Sequence, residues 1–303
     1  MPQSTSAPAP LSRFETAASA IASHAPTAQG SLKPFIADLA DLKTIKPAVD
    51  TFLKAEYRLD VLFLNAGIMT PPAASKTTDG FDLEFGVNCL APFLLTKLLH
   101  PLMERTSTHF CHPNTSIRIV YVSSLLNMST PQGGVQLNPP SSPSTIWEPK
   151  QLTGMQHYMQ TKAGIYLLAS EFSTRHASGP KIDEHGMESR NPAGVLHVCL
   201  NPGFMKTELQ RHAPAPMRGV MGAVFKPAKY GAYTELFAGV APSVQDGDFV
   251  IPWGRKGEVP EHIRASKLTK EGEEQSVSAR FYEWCEEVVM QFFVSDGQPL
   301  RRG

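Results

Sequence analysis

The residues best suited to chemistry are Tyr158 and Lys162, in the run Tyr158-Met159-Gln160-Thr161-Lys162. On a helix, side chains four residues apart share a face, so the phenol and the ammonium project together. A tyrosine that titrates near pH ~10 must lose about three units, roughly 4 kcal/mol, to exchange protons near neutrality. A cation about 4 Å away at an effective dielectric near 20 supplies about that much. The pair therefore predicts an acid/base device acting on an alcohol oxygen, with a solvated helix face as the alternative.

Polar clusters follow three predicted strands. They are Asn65-Ala66-Gly67, Ser123-Ser124, and Asn201-Pro202-Gly203 with Thr207. Each could be ordinary turn chemistry, because Asn, Gly, Pro and Ser end strands in many proteins. The carboxyl ends of parallel strands are also where an open α/β sheet binds its ligand. The Tyr/Lys segment lies between the second and third clusters, and this order favours a single site.

The elements that must position these residues alternate along the chain. Short apolar runs predict strands at Leu32–Leu39, Val61–Ala66, Ile117–Ser123, Val195–Asn201 and Phe249–Trp253. Segments with helical periodicity are Phe14–Ser23, Leu42–Glu56, Phe81–Glu104, Met155–Arg175 and Pro227–Val240. Fully apolar strands that alternate with helices indicate a mostly parallel sheet covered on both faces. The sequence therefore predicts one doubly wound, Rossmann-like α/β domain over residues 11–303.

Three segments depart from this alternation. Residues 1–10 are rich in Pro, Ser and Ala and are predicted to be disordered. Residues 125–154 and 177–194 form long polar stretches. Loops of this length inside a compact domain are usually functional or disordered.

Composition excludes several classes of function. The 28 basic and 28 acidic residues balance and form no long run, so nothing indicates binding to nucleic acid or to an anionic membrane. No apolar run reaches about 18 residues, so no membrane span is expected. The start of the chain lacks the features of a secretory signal, and the four cysteines contain no C-x-x-C pair. We therefore expect reduced thiols and a cytoplasmic protein.

A metal site is not expected from the sequence. The only suggestive run is His109-Phe110-Cys111-His112, which precedes a predicted strand. No fourth ligand follows at a suitable spacing, so we interpret the run as an ordinary surface loop.

Asn-Ala-Gly, Ser-Ser, Tyr-x-x-x-Lys and Pro-Gly-x-x-x-Thr occur here in the order seen in short-chain dehydrogenases/reductases, which the chain resembles over about residues 11–260. Two details point to retinol-dehydrogenase-like and fungal members. The stretch Phe85–Thr96 resembles their Val-Asn-x-x-Gly-x-Phe-x-Leu-Thr helix. Phe249–Arg255 is similar to the last strand of fungal relatives.

The resemblance implies catalytic roles for four residues. Tyr158 would be the acid/base, and Lys162 would lower its pKa and hold the nicotinamide ribose. Ser124, or less well Ser123, would hydrogen-bond the substrate carbonyl. Asn88 would anchor a proton-relay water, although it could also be an ordinary polar residue on a helix face.

Cofactor contacts are implied in the same way. Asp38 at the end of the strand Phe35-Ile36-Ala37, with Leu39, would contact adenine, unless Asp38 only caps the next helix. Asn65, Ala66 and Gly67 would flank the adenine ribose. Pro202, Gly203 and Thr207 would line the nicotinamide side. Residues 125–154 would be an insertion over the substrate, and 204–230 would form a lid that includes the apolar stretch Met217–Phe225, for which a core helix is the alternative.

The implied activity is hydride transfer between NADP(H), or NAD(H), and an alcohol or carbonyl group of a small apolar metabolite, as in fungal secondary metabolism. The family also implies a homodimer or homotetramer, formed through the apolar faces of the helices at 81–104 and 155–175.

The chain departs from the family at its start. Members begin with a strand that enters a Thr-Gly-x-x-x-Gly-x-Gly turn, whereas no glycine here precedes Gly30. Proline removes ladder donors, so residues 1–10 are unsuited to a buried strand. We therefore expect an N-terminally truncated fold without the turn that cradles the pyrophosphate. Either a preceding segment is missing, or the strands at 34–38 and 61–65 close up. In the second case the chain is a cofactor-impaired or non-catalytic relative with a binding or regulatory role.

Overall fold

A computed structural model describes residues 10–27, 29–110, 116–137, 152, 154–176, 194–207, 209 and 224–293. The predicted disorder of 1–9, half of the insertion at 125–154, nearly all of the 177–194 stretch and the centre of the 204–230 segment lie outside these residues. Pro10 was predicted to be disordered, but it begins helix α1 (Pro10–His24). Proline is tolerated in the first helical turn, because its missing N–H has no partner there anyway.

A five-stranded sheet forms the centre of the fold, with strand order β1-β2-β3-β6-β7. The strands are β1 (Val61–Leu64), β2 (Ile117–Val122), β3 (Val195–Leu200), β6 (Phe249–Ile251) and β7 (Arg255–Gly257). The first four are parallel, and β7 pairs antiparallel with β6. Every residue of β2 and β3 is buried, as apolar strands covered on both faces require. The predicted doubly wound α/β fold is confirmed.

Helices cover both faces of the sheet. They are α2 (Ile45–Ala55), α3 (Leu83–His109), α4 (Gly154–Arg175), α5 (Lys229–Val240), α6 (Glu261–Arg264) and α7 (Val277–Met290). The larger apolar core contains side chains of α2, α3, α4 and α7, and a smaller one lies under α5. Two short strands, β4 (Met205–Lys206) and β5 (Lys226–Pro227), pair beside the carboxyl end of β3.

Helix α3 is long and apolar enough to span a membrane by length and composition. In the fold, 78% of the relevant stretch is buried against the rest of the protein. Helix α3 therefore has the features of a core helix, and its membrane-like composition is explained by packing.

The predicted strand at Leu32–Leu39 is wrong. Residues 32–38 form no strand, and Phe35 and Ile36 are exposed. A strand needs a neighbour for its ladder hydrogen bonds, and β1 is the edge of the sheet among the described residues. A groove of about 750 Å³ separates residues 33–39 from β1, so the alternative in which the two segments close up is not what the structure shows.

Helix α7 was not predicted, and it covers part of both long helices. Phe281 and Trp284 contact Phe85 of α3, with ring centroids 5.8 and 5.2 Å away. Tyr282 packs on Phe93 of α3 and Phe172 of α4 at 5.0 and 5.1 Å. The helix faces that were expected to pair across a dimer are, over this region, covered by the chain itself.

Candidate active site

A hollow of about 800 Å³ opens at the carboxyl ends of β1, β2 and β3. Its walls include nine of the residues singled out in the sequence: Asn65, Ala66, Gly67, Ser124, Tyr158, Lys162, Pro202, Gly203 and Thr207. Asn88 lies directly behind this wall, against Gly67. The fold thus brings together three strand ends and one helix, as the order of the motifs predicts.

The two serines after β2 have different partners. The Ser124 hydroxyl lies next to the Tyr158 phenol and favours a lower pKa of that phenol. The Ser123 hydroxyl is buried and donates to the backbone oxygen of Lys162 at 2.6 Å. Ser124 is therefore the serine that faces the hollow beside Tyr158, and Ser123 holds β2 against α4.

Lys162 is buried beneath the hollow. Its Nζ atom lies 5.7 Å from the centre of the Tyr158 ring and donates to the backbone oxygen of Val122 at 2.9 Å. Burial lowers the pKa of the Lys162 ammonium, since a charged group loses solvation there. A side chain bound in this way is a fixed hydrogen-bond donor at the floor of the site.

The expected lowering of the Tyr158 pKa by Lys162 is not what this structure provides. Tyr158 is 2% exposed, and burial raises its pKa to about 12 because the phenolate would lose solvation. The nearby Ser124 hydroxyl opposes this shift, and the Glu84 carboxyl adds to it. The phenol is therefore protonated at neutral pH, ready to give a proton.

Asn88 joins α3 to the turn after β1. Its Oδ1 accepts from the Ile68 N–H at 2.9 Å, and its Nδ2 donates to the Ile68 oxygen at 2.9 Å and to Thr161 Oγ1 at 3.0 Å. Asn88 lies in a π-helical turn, Gly86–Leu90, that interrupts α3. Such turns often occur at functional sites. Both amide hydrogens are used here, so the side chain positions the Asn65–Ile68 turn; the water-anchoring role stays a prediction.

Two glycines allow close approach around the hollow. A Cβ on Gly67 would lie 3.0 Å from Asn88 Oδ1 and 3.4 Å from Lys162 Nζ. Gly203 has a φ of +86°, and a Cβ there would lie 2.9 Å from the ring of Pro252. Both positions exclude larger residues, which explains their place in the motifs.

Asp38 is not in the hollow. Its Oδ1 accepts from the Ala40 N–H at 2.9 Å, and its backbone N–H donates to Thr44 Oγ1 at 2.9 Å. These bonds shape the turn before the short helix Leu42–Thr44, whose N-cap is Asp41, so Asp38 does not cap a helix and the capping alternative is wrong as well. Leu39 lines the groove beside β1. Asn65 and Ala66 border both the groove and the hollow, so the two spaces adjoin.

Glu84 was missed by the sequence analysis. Its carboxyl is 2% exposed and accepts from the Thr70 N–H at 2.7 Å. Burial raises the pKa of Glu84 to about 8, against a smaller opposing effect of that hydrogen bond. Thr70 has a φ of +45°, unusual for a residue other than glycine, and Glu84 holds it there. The available signal was spacing, because Glu84 lies one helical turn before Asn88.

The residues present fit the nicotinamide half of a nicotinamide dinucleotide. The phenol, the ammonium and the backbone approach at Gly67 and Gly203 form a polar wall suited to a ribose and a carboxamide. For the pyrophosphate, the described part of the chain contains no glycine-rich turn at a helix N-terminus. The adjoining groove is lined mainly by apolar side chains, with Lys33 already paired with Glu56.

Comparison with known proteins agrees with this geometry. The model of the short chain dehydrogenase family matches residues 8–134. A short-chain dehydrogenase/reductase of Phomopsis amygdali is 35% identical over 88% of this chain and 76% of its own length, and one of Emericella nidulans is 31% identical over 88% and 78%. An NADPH-bound carbonyl reductase from chicken fatty liver shares the fold, at a TM-score of 0.51 with 18% identity, over 81% of this chain and 82% of that one. The chain belongs to the short-chain dehydrogenase/reductase family of NAD(P)-dependent oxidoreductases.

Proposed function

We propose that the chain reduces a carbonyl group of an apolar metabolite to an alcohol, with NADPH as the hydride donor and NADH as the second choice. The observation that carries this proposal is the Tyr158 phenol, next to the Ser124 hydroxyl, with the Lys162 ammonium beneath its ring and an 800 Å³ hollow in front of it.

The protonation state supports the reductive direction. With a pKa of about 12, Tyr158 carries its proton at neutral pH. A carbonyl oxygen that gains a hydride on its carbon becomes strongly basic and needs a proton at that moment. A phenol held within reach of this oxygen gives that proton more readily than it takes one from a neutral alcohol.

The bound dinucleotide supplies the hydride. Ser124 donates a hydrogen bond to the substrate oxygen and fixes the carbonyl next to Tyr158. Tyr158 then transfers its proton to the same oxygen, and Lys162 stabilises the negative charge left on the phenol. Asn88 keeps the Asn65–Ile68 turn against α4, so that the backbone at Gly67 stays close to the Lys162 Nζ atom.

The walls of the hollow indicate the substrate class. Apart from the polar groups above, they are formed largely by apolar side chains: Met69, Leu126, Met155, Phe204, Met205, Leu209 and Phe225. Glu235 also lines the hollow, and burial raises the pKa of its carboxyl. We therefore propose a mainly hydrocarbon ketone or aldehyde with a hydroxyl that reaches Glu235. Fungal secondary metabolism is the proposed context, and a cytoplasmic location stays a prediction.

NADPH is preferred over NADH on two grounds. Retinol-dehydrogenase-like members, which the α3 motif resembles, usually use it. The similar fold of the chicken carbonyl reductase holds NADPH. Both grounds are analogies with other proteins, so the choice is part of the proposal.

Tyr158→Phe tests the proposal. The change removes the proton donor while keeping the ring, so we expect kcat to fall about 100- to 10,000-fold. NADPH binding, followed by fluorescence titration, should change less than threefold. Equal turnover by the two proteins on a panel of apolar ketones would refute the assignment of Tyr158.

A second function is favoured by the mainly apolar lining of the groove beside β1, where the described residues offer no cradle for a pyrophosphate. Under it the chain is a cofactor-impaired or non-catalytic relative that binds an apolar ligand in the same hollow. The NADPH titration distinguishes the two functions. Micromolar binding by this chain supports the enzyme, whereas millimolar binding together with an unchanged biological activity of Tyr158→Phe supports the binding protein.

A further inference from the structure

Three histidines and a glutamate meet in the core on the α3 and α4 side of the sheet. His100 and Glu104 lie one turn apart on α3, and their Nδ1 and Oε1 atoms are 3.8 Å apart. His176 directly follows α4, and its ring centre is 4.1 Å from that of His100. The possible ligand atoms of His100, Glu104 and His176 all lie within 4.8 Å of one another.

The fourth residue, His197 of β3, orients His100. His197 Nε2 is 3.3 Å from His100 Nε2, and its Nδ1 is 3.0 Å from the Tyr121 hydroxyl. His197 is 1% exposed and packs next to His100 and His176. If His197 donates from Nδ1 to Tyr121, it accepts at Nε2 from His100. His100 then carries its proton on Nε2. Its Nδ1 atom, which faces Glu104, is the unprotonated ring nitrogen that can coordinate a metal ion.

The end of α4 adds a favourable potential. The last carbonyl groups of a helix carry a partial negative charge that attracts cations. His176 follows Arg175, the final residue of this 22-residue helix, and its N–H donates to the Phe172 oxygen at 2.9 Å. Arg175 forms ion pairs with Glu171 and Glu283, and these carboxylates offset its positive charge.

We propose that His100, Glu104 and His176 bind a zinc ion that links α3 to the carboxyl end of α4. Two imidazoles and one carboxylate are ligands that zinc prefers. A ligand histidine usually donates its far N–H to a fixed acceptor, and here the buried His197 ring lies in that position.

The distances require an adjustment, because ligand atoms that lie up to 4.8 Å apart must come closer together around one ion. Zinc bonds of about 2.0 to 2.2 Å place tetrahedral ligands about 3.4 Å apart. His100 Nδ1 and Glu104 Oε1, at 3.8 Å, must approach by a few tenths of an ångström. The Glu104 side chain is 36% exposed and can make this movement, and it gives the ion a route from solvent. Water completes the fourth position.

The cluster is independent of the proposed reaction. His176 follows Tyr158 by 18 residues, so the two lie about 27 Å apart along α4 at 1.5 Å per residue. The ion therefore stabilises the packing of two core helices and does not take part in proton transfer. Sequence spacing could not reveal the site, because its residues come from three separate segments.

Zinc titration of the chelator-treated full chain, by calorimetry and with a competing zinc dye, tests the proposal. We expect one zinc per chain with a Kd in the micromolar range or below, and a rise of several degrees in Tm on adding zinc. Cobalt in place of zinc should give visible absorption bands of a four-coordinate site with nitrogen and oxygen ligands.

Variants distinguish zinc binding at this site from zinc binding at other histidines. His176→Ala and Glu104→Gln should each weaken zinc binding at least tenfold, and Glu104→Gln keeps the size and shape of a side chain that is 36% exposed. His24→Ala, at an exposed position on α1, is the matched control and should bind zinc as the unchanged protein does. Millimolar binding, or equal binding by all variants, would overturn the proposal, as would loss of zinc in His109→Ala alone. None of these results depends on NADPH or on turnover.

Discussion

Replacing Asn88 by alanine should loosen the turn that carries Gly67 without unfolding the sheet. The amide makes three hydrogen bonds, two of them to the backbone of Ile68. Thr161 Oγ1 keeps its bond to the Tyr158 oxygen at 2.8 Å, so only the two Ile68 groups lose their partners. Each buried group left without a partner costs about 1 to 3 kcal/mol, and Ile68 is half-buried. We expect a loss of roughly 2 to 4 kcal/mol in the free energy of unfolding.

Activity should fall more than stability alone explains. The Asn65–Ile68 turn borders the hollow, and a displacement of about 1 Å in a site can reduce the rate about 100-fold. We therefore expect kcat/KM to fall about 10- to 100-fold under conditions where Asn88→Ala is fully folded. Urea unfolding, steady-state kinetics with NADPH and amide hydrogen exchange at Ile68 measure the three effects.

Thr161→Val is the matched control. It removes the contact between Asn88 and Thr161 and the bond from Thr161 Oγ1 to the Tyr158 oxygen, and it leaves both bonds to Ile68 in place. We expect a cost near 1 kcal/mol and kcat/KM within about threefold of the unchanged protein. If Asn88→Ala keeps normal exchange at Ile68 and normal kcat/KM, Asn88 does not position the turn.

Three further predictions follow from the packing and the charges. Gly67→Ala should lower kcat/KM at least tenfold by pushing on Asn88, whereas Gly30→Ala, where a Cβ meets nothing within 4 Å, should change nothing; equal kinetics would contradict the crowding. Because burial raises the pKa of Glu84 from 4.5 to about 8, its stabilising effect is complete below pH 4.5 and is lost as the pH rises to 8. The slope is at most about 1.4 kcal/mol per pH unit, and urea unfolding of Glu84→Gln should show a flatter profile. Light scattering should give the 33.1 kDa monomer, since α7 covers the expected dimer faces, and twice that mass would refute this.

The sequence allowed most of the site to be predicted, because its residues lie on the strongest local patterns. The strands leading to Asn65, Ser124 and Pro202 are apolar runs that end in turn residues, and the helix with Tyr158 has clear periodicity. Parallel strands align such ends at one edge of a sheet. The local sequence pattern and the order of these segments could therefore place the hollow and its principal residues.

The errors arose where tertiary contacts decide the outcome. The run Leu32–Leu39 has strand composition, yet pairing depends on a neighbour that local sequence cannot reveal. The Tyr158 pKa depends on how deeply α4 is buried, and this burial outweighs the expected effect of Lys162. Glu84 and the His100 cluster become visible only when distant segments come together.

Three of the four cysteines, Cys89, Cys199 and Cys285, are free and buried as expected.

The π-helical turn in α3 makes the fold sensitive to the deletion of a single residue at this point of the helix. A π turn contains one residue more than an α turn, so Gly86–Leu90 stores an extra residue in the helix. Deleting any one of these five would restore regular hydrogen bonding and rotate the preceding residues by about 100° relative to Ala91–His109. Phe85 would then leave Trp284, and the carboxylate before it would leave Thr70. A one-residue deletion here would thus disturb the molecule more than many substitutions of the same side chains.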